Sequence, residues 1–255
     1  MKFPAPCILF ALLPSLGLAL PAACGAGGAT ERDQIAAFVD RTYEPALRAL
    51  HLPDETLERA KQLLVERSVA RAIATRTMPL GRTVEEQKAA IDQAEREVDQ
   101  KLQAMVEPTV YQKIQEMVFV ELELDNIEID YAPAMAAAGV PLDGPQAVAL
   151  AKVFKAVYID VDAALSEGTD FAAIRAAKTP AEKARAEAPL VNVRAYHTRD
   201  VDSNSLSVAD REAMRQAAVF LSQGQLVVLQ KKLAALTRGG LRLEAERRTR
   251  SGGTP

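Results

Sequence analysis

The sequence predicts an all-α protein built as a duplicated array of helical hairpins, with about eight helices. Three observations carry that prediction. The chain is rich in the strong helix formers Ala, Leu, Glu, Gln, Arg and Lys, has 5% aromatic residues and lacks Trp. Helix-start signals recur along it, and apolar residues follow them at helical rather than alternating spacing. The chain also repeats itself.

In chain order, Leu57, Ala60, Leu63, Leu64 and Ile73 mark one face of a helix from about Asp54 to Arg76. Thr83-Val84-Glu85-Glu86 is a capping box, in which side chains satisfy N–H groups that a helix start leaves unpaired. The helix after it carries Ile91, Ala94, Val98, Leu102 and Met105. Leu142-Asp143-Gly144-Pro145-Gln146 is a related start, followed by Val148, Ala151, Val153, Phe154 and Val157. Thr179-Pro180-Ala181-Glu182 adds proline at the first helical position. Leu221-Ser222-Gln223-Gly224-Gln225-Leu226 combines a cap with a hydrophobic staple between Leu221 and Leu226, and Leu226, Leu229, Leu233 and Leu236 continue its face. In the motifs at 142–146 and 221–226 the glutamine is expected to turn back on its cap, Gln146 on Asp143 and Gln225 on Ser222. Residues 189–206 lack any period, contain Asp202-Ser203-Asn204-Ser205 and read as a long loop.

Val118 to Tyr131 admits two readings. Apolar and acidic residues alternate, and Asp125-Asn126 suits a short β-hairpin turn at 118–131. Val120, Leu124, Ile127 and Tyr131 also fall at helical spacing, and a helix from about Pro108 to Ala138 fits the neighbours better.

The repeat sets Tyr43-Glu44-Pro45-Ala46 against Tyr131-Ala132-Pro133-Ala134, and 105–115 against 220–230. It divides the chain near Tyr131 into a helical repeat at 31–130 and a second at 131–247, with a disordered tail at 248–255.

Residues 1–24 read as a secretory signal: Lys2, an apolar run from Cys7 to Ala23 interrupted by Pro14 and Gly17, then small residues. That run is shorter and more broken than the roughly 20 apolar residues of a membrane span. A periplasmic or secreted protein is expected, with 25–30 as a flexible tether. Cys24, followed by Gly25-Ala26-Gly27-Gly28, resembles the lipobox of bacterial lipoproteins, whose cysteine becomes the lipidated first residue. Cleavage after Ala22 or Gly25 is the alternative. The other cysteine, Cys7, lies within the signal, so no internal disulfide is expected and the core alone must stabilise the fold.

The net charge of −3 argues against a nucleic-acid partner, because such binding rests on Lys and Arg neutralising phosphates. The basic stretch from Arg238 to Arg250 is the local exception and reads as a solvated helix end. His51 and His197 stand in no metal-ligand spacing. His51 reads as packed or exposed at a helix junction, and His197, near Arg199 and Asp200, is the better functional candidate of the two. Glu121, Glu123, Asp125, Glu128 and Asp130 form the densest acidic run, but it has no glycine turn of the kind calcium loops use and reads as a solvated face. Asp160 and Asp162 point to different sides of a helix. No catalytic, cofactor or metal site is expected, and the reading is of a protein that is not an enzyme.

Leu221-Ser222-x-x-Gln225 and Leu142-Asp143-x-x-Gln146 resemble the repeated Leu-Thr-x-x-Gln motif of the Spy/CpxP-like periplasmic proteins, with Leu52 to Thr56 as a degenerate third copy. The resemblance implies an exported, disulfide-free helical fold and chaperone-like binding of unfolded polypeptide or envelope partners, with a homo-oligomer compatible. The chain departs from that family in its acidic charge and in the absence of the motif threonine. A lipid- or small-ligand-binding or structural lipoprotein is the alternative function.

Overall fold

In the computed structural model, which describes residues 30–79, 83–198 and 200–250, the fold is all-α, with no strand among the described residues. Two compact units are formed. The first comprises described residues from Thr30 to Pro133 together with Leu142–Ala151, and the second Ala134–Pro141 together with residues from Lys152 onward. Leu142–Ala151 thus belongs to the first unit although the residues on either side of it belong to the second.

The first unit begins with α1 (Glu31–Arg48), α2 (Asp54–Thr77) and α3 (Val84–Met105). α2 packs against both α1 and α3. Thr30 and Asp33 cap α1, and Thr83 and Glu86 cap α3, each pair exchanging hydrogen bonds between side chain and backbone. Ile35, Val39, Tyr43 and Leu47 of α1 are buried, as are Leu57, Ala60, Leu63 and Leu64 of α2 and Val98 and Leu102 of α3. Ile73 departs from the expected face and is 52% exposed, because the second half of α2 turns polar side chains inward at Arg67 and Ser68. His51 occupies the turn after α1 with φ 53°, a left-handed conformation, and is exposed.

A nearly continuous helical run follows: α4 (Pro108–Phe119), α5 (Glu121–Asn126), a π-helical turn at Ile127–Tyr131 and α6 (Ala132–Ala137). The hairpin at 118–131 does not form. Val120, Leu124 and Ile127 are fully buried and Tyr131 is 6% exposed, so burying one helical face wins over strand alternation. α6 ends in a Schellman motif: Val140 N–H donates to Met135 O at 2.9 Å and Gly139 N–H to Ala136 O at 3.0 Å. Gly139, at φ 75°, supplies the left-handed residue this motif needs.

α7 (Gly144–Phe154), a second π-helical turn at Lys155–Ile159 and α8 (Asp160–Leu165) come next. Gly144 is required by contact rather than by conformation. A Cβ there would lie 2.5 Å from Pro45 O and 2.7 Å from Ala46 Cα, so the start of α7 seats directly on the α1 backbone within the first unit.

The second unit continues with α9 (Phe171–Ala176), α10 (Pro180–Ala186), α11 (Val191–Thr198), α12 (Val208–Ala217) and α13 (Gln223–Arg250). The expected loop at 189–206 is corrected: a 3-10 turn at Ala188–Leu190 leads into α11, and only its last part is loop. There Asp202 Oδ1 accepts the N–H groups of Asn204 at 2.8 Å and Leu206 at 2.9 Å, a local turn that competes with helix. Leu229 and Leu233 of α13 are buried, but Leu236 is 42% exposed and Thr237 faces inward instead. α13 extends through Arg250, so helix enters the stretch read as tail, and residues 251–255 lie outside the described ones. The signal segment and Cys24 also lie outside the described residues.

Candidate interaction surface

Two polar networks and one apolar surface are the features from which a site could be built. The first network lies inside the first unit. Arg67, 7% exposed, pairs with Glu95 and donates through Nε to Asp99 Oδ1 at 3.0 Å. Arg71 Nε donates to Glu95 Oε1 at 2.5 Å, and its guanidinium also pairs with Glu121. Tyr43 Oη donates to Glu121 Oε2 at 2.6 Å, and burial pushes the Tyr43 phenol well above its ordinary range. Asp125 Oδ1 accepts from Arg41 Nε at 2.8 Å and from Thr42 Oγ1 at 2.9 Å. The solvated-face reading of the acidic run is therefore corrected for Glu121 and Asp125, which turn back to tie α5 to α1 and α2. Glu128 is half-buried, and desolvation followed by the Asp125 charge raises its pKa. Asp130 is exposed.

The second network gathers around Asp210, 5% exposed, in the second unit. Asp210 Oδ1 accepts from Tyr158 Oη at 2.8 Å, and Oδ2 accepts from Thr237 Oγ1 at 2.6 Å and Ser207 N–H at 2.9 Å. His197 stacks on Tyr158 with centroids 5.9 Å apart, and its Nε2 lies 2.7 Å from Oδ1 of the buried Asp162. Asp160 by contrast faces outward, 2.5 Å from Lys155 Nζ. A histidine on a buried carboxylate can orient an imidazole, but here the ring is clamped between α8 and the turn before it, and its partners hold α11 and α12 in place. Neither network holds three or more metal-ligating side chains in suitable array among the described residues.

The motif residues act on the backbone. Asp143 N–H donates to Gln146 Oε1 at 3.1 Å, and Gln146 N–H to Asp143 Oδ1 at 2.7 Å. Ser222 N–H donates to Gln225 Oε1 at 2.8 Å, and Gln225 N–H to Ser222 Oγ at 3.3 Å. Gln225, 4% exposed, also donates through Nε2 to Pro141 O at 2.8 Å, a tie from α13 to the turn after α6 that sequence spacing does not reveal. Beside it a Cβ on Gly224 would lie 2.8 Å from Val140 Cγ1.

The apolar surface lies on the run that follows α3 in the first unit. On the α4–α5 run Phe119 is 68% exposed, Leu122 62% and Ile129 50%, with exposed Asn126 between them. Steps of three, four and three residues put them on one side, opposite buried Ile114, Met117, Val120, Leu124 and Ile127. The alternation that invites a hairpin is thus two interleaved helical series, one turned to the core and one to solvent. No helix among the described residues is long and apolar enough to cross a membrane. Comparison with family models, with characterised proteins and with solved structures returns no match for this chain.

Proposed function

We propose that this chain is an exported, non-enzymatic helical protein that binds polypeptide partners, chaperone-like, through the exposed stripe of Phe119, Leu122 and Ile129. The observation that carries the reading is three large apolar side chains, each at least half exposed, aligned on one face of a helical run whose opposite face is fully used. Exposing such a row costs hydration free energy that a partner recovers, on the order of 25 cal/mol per Å² of apolar surface covered. The networks supply order rather than chemistry: each buried acid meets a guanidinium, hydroxyl, imidazole or backbone N–H.

The test is suppression of aggregation of a chemically unfolded model protein by the mature chain and by a Phe119→Ser/Leu122→Ser/Ile129→Ser variant. The wild type is expected to suppress aggregation and the variant to lose that ability with its helical spectrum unchanged. Equal activity in both would remove the stripe from the reading. Export is supported by the order of residues 1–24, and intact-mass measurement of the protein from its host tests it. A lipid-modified Cys24 would establish the anchor, and an unmodified start downstream of Cys24 would exclude it.

A further inference from the structure

We infer that one exposed side of α13 is a docking face for an anionic phospholipid surface, held by charge. It belongs to the second unit and uses none of the Phe119, Leu122 and Ile129 stripe of the first, so the two readings stand or fall separately.

Charge is unevenly placed along the chain. α13 carries seven Lys and Arg against Glu244 and Glu246, a net +5 in a chain of net −3, which leaves −8 on the rest. Leu229, Leu233 and Thr237 bury one side of this helix. Lys231, Arg238 and Arg242 are exposed. Steps of seven and four residues put these three on a second side, spread over about 16 Å of helix. The side chains of Lys231 and Arg238 make no ion pair or hydrogen bond among the described residues.

Two internal uses of such cations fall short. Basic residues near a helix C-terminus stabilise its dipole, but that effect falls off within the last turn. Lys231 and Arg238 lie nineteen and twelve residues before Arg250, well outside it. Pairing along the helix is the other use. Three and four residues to either side of Lys231 and Arg238 stand Val, Ala, Leu and, at 242, another Arg, so no acid compensates them and one neighbour repels.

The occupant follows from what this side lacks. A protein interface forms around a desolvated apolar core. Between Lys231 and Arg242 this side offers Ala235, and the exposed Leu236 lies on a different one. A membrane surface needs no shaped core: it is a plane of negative charge, and each Lys or Arg brought near it adds to the attraction. The acidic remainder of the chain is repelled by the same plane, which confines the contact to α13.

The experiment is flotation of the chain from Gly25 onward, which lacks the lipidation cysteine, with phosphatidylcholine vesicles that contain either no phosphatidylglycerol or about one-third. Binding to the anionic vesicles and not to the neutral ones is expected. Salt raised toward 1 M, where the screening length is about 3 Å, should release it. Lys231→Gln/Arg238→Gln should weaken partition about thirtyfold, the scale of two cations near such a surface. Lys88→Gln/Lys113→Gln removes the same charge from exposed positions on α3 and α4 and should leave partition unchanged. All four side chains are exposed, so both variants should keep the wild-type helical spectrum.

Failure to bind the anionic vesicles, or equal binding to the neutral ones, would overturn the inference. Equal weakening by both variants would trace the effect to net charge and overturn the α13 face. A dimer seen by sedimentation without lipid, dissolved by Lys231→Gln/Arg238→Gln, would make a second copy the occupant. Vesicle binding lost in Phe119→Ser/Leu122→Ser/Ile129→Ser and kept in Lys231→Gln/Arg238→Gln would move it to the stripe. Either of these last two results also overturns the inference.

Discussion

Replacing Arg67 by Met probes the electrostatic centre of the first unit. The Arg67 and Glu95 side chains are 8% and 4% exposed, so neither can be rehydrated without opening the α2–α3 contact. In Arg67→Met, Glu95 keeps only Arg71, whose side chain is 31% exposed, and Asp99 loses its guanidinium. Breaking a buried pair by removing one partner costs about 3–5 kcal/mol, most of it from the charge left behind. For a chain of this size 1 kcal/mol moves the melting temperature by about 2–4 °C, so a fall of roughly 6–20 °C is expected. The double variant Arg67→Met/Glu95→Leu removes both charges, leaves Arg71 with Glu121, and should recover most of the loss. Urea unfolding followed by far-UV circular dichroism, for both singles and the double, gives the coupling directly. A single-variant loss below about 1 kcal/mol, the scale of an exposed ion pair, would refute the claim that these groups are buried against each other.

Gln146→Ala should cost about 1 kcal/mol and Gln225→Ala about 2 kcal/mol in the same unfolding assay, because Gln225 also satisfies the Pro141 carbonyl. A Gln225→Ala loss no greater than about 1 kcal/mol, the scale of the cap alone, would show that the Pro141 tie contributes nothing. Gly144→Ala should destabilise by about 1–3 kcal/mol although alanine is the better helix former, since its Cβ would meet the α1 backbone; a gain in melting temperature would contradict that contact. Glu128 has a folded-state pKa raised above its ordinary 4.5, so its ionised form opposes folding above that pH and its contribution improves as pH falls through the folded value. Glu128→Gln should therefore be more stable than wild type at neutral pH, with the advantage vanishing below about pH 4.5; the opposite trend in melts across that range would reverse the assignment.

Much of the fold was legible in the sequence because helix starts are local. Thr83 with Glu86 and Thr179 with Glu182 announce themselves within four residues, and the structure closes both boxes. The starts at Thr30 and Ser207 are less visible because aspartate stands where the motif expects Glu or Gln. The parts that escaped depend on partners far along the chain. Asp125 turns inward because Arg41 and Thr42 lie 84 and 83 residues away, a pairing no spacing rule contains. Phe119, Leu122 and Ile129 were in view as apolar residues, but one face of a helix cannot be told from the other until the core chooses Val120, Leu124 and Ile127. α11 went unread because its few apolar residues, Val191 and Val193 among them, define no period over so short a helix.

The most direct test of the central claim places a photo-crosslinking amino acid at Leu122 on the stripe, or at exposed Lys88 on α3, and mixes each protein with an unfolding model polypeptide. Crosslinks to the polypeptide from position 122, with few or none from position 88, are predicted. Crosslinks of equal yield from both positions, or from position 88 alone, would contradict binding through the α4–α5 stripe.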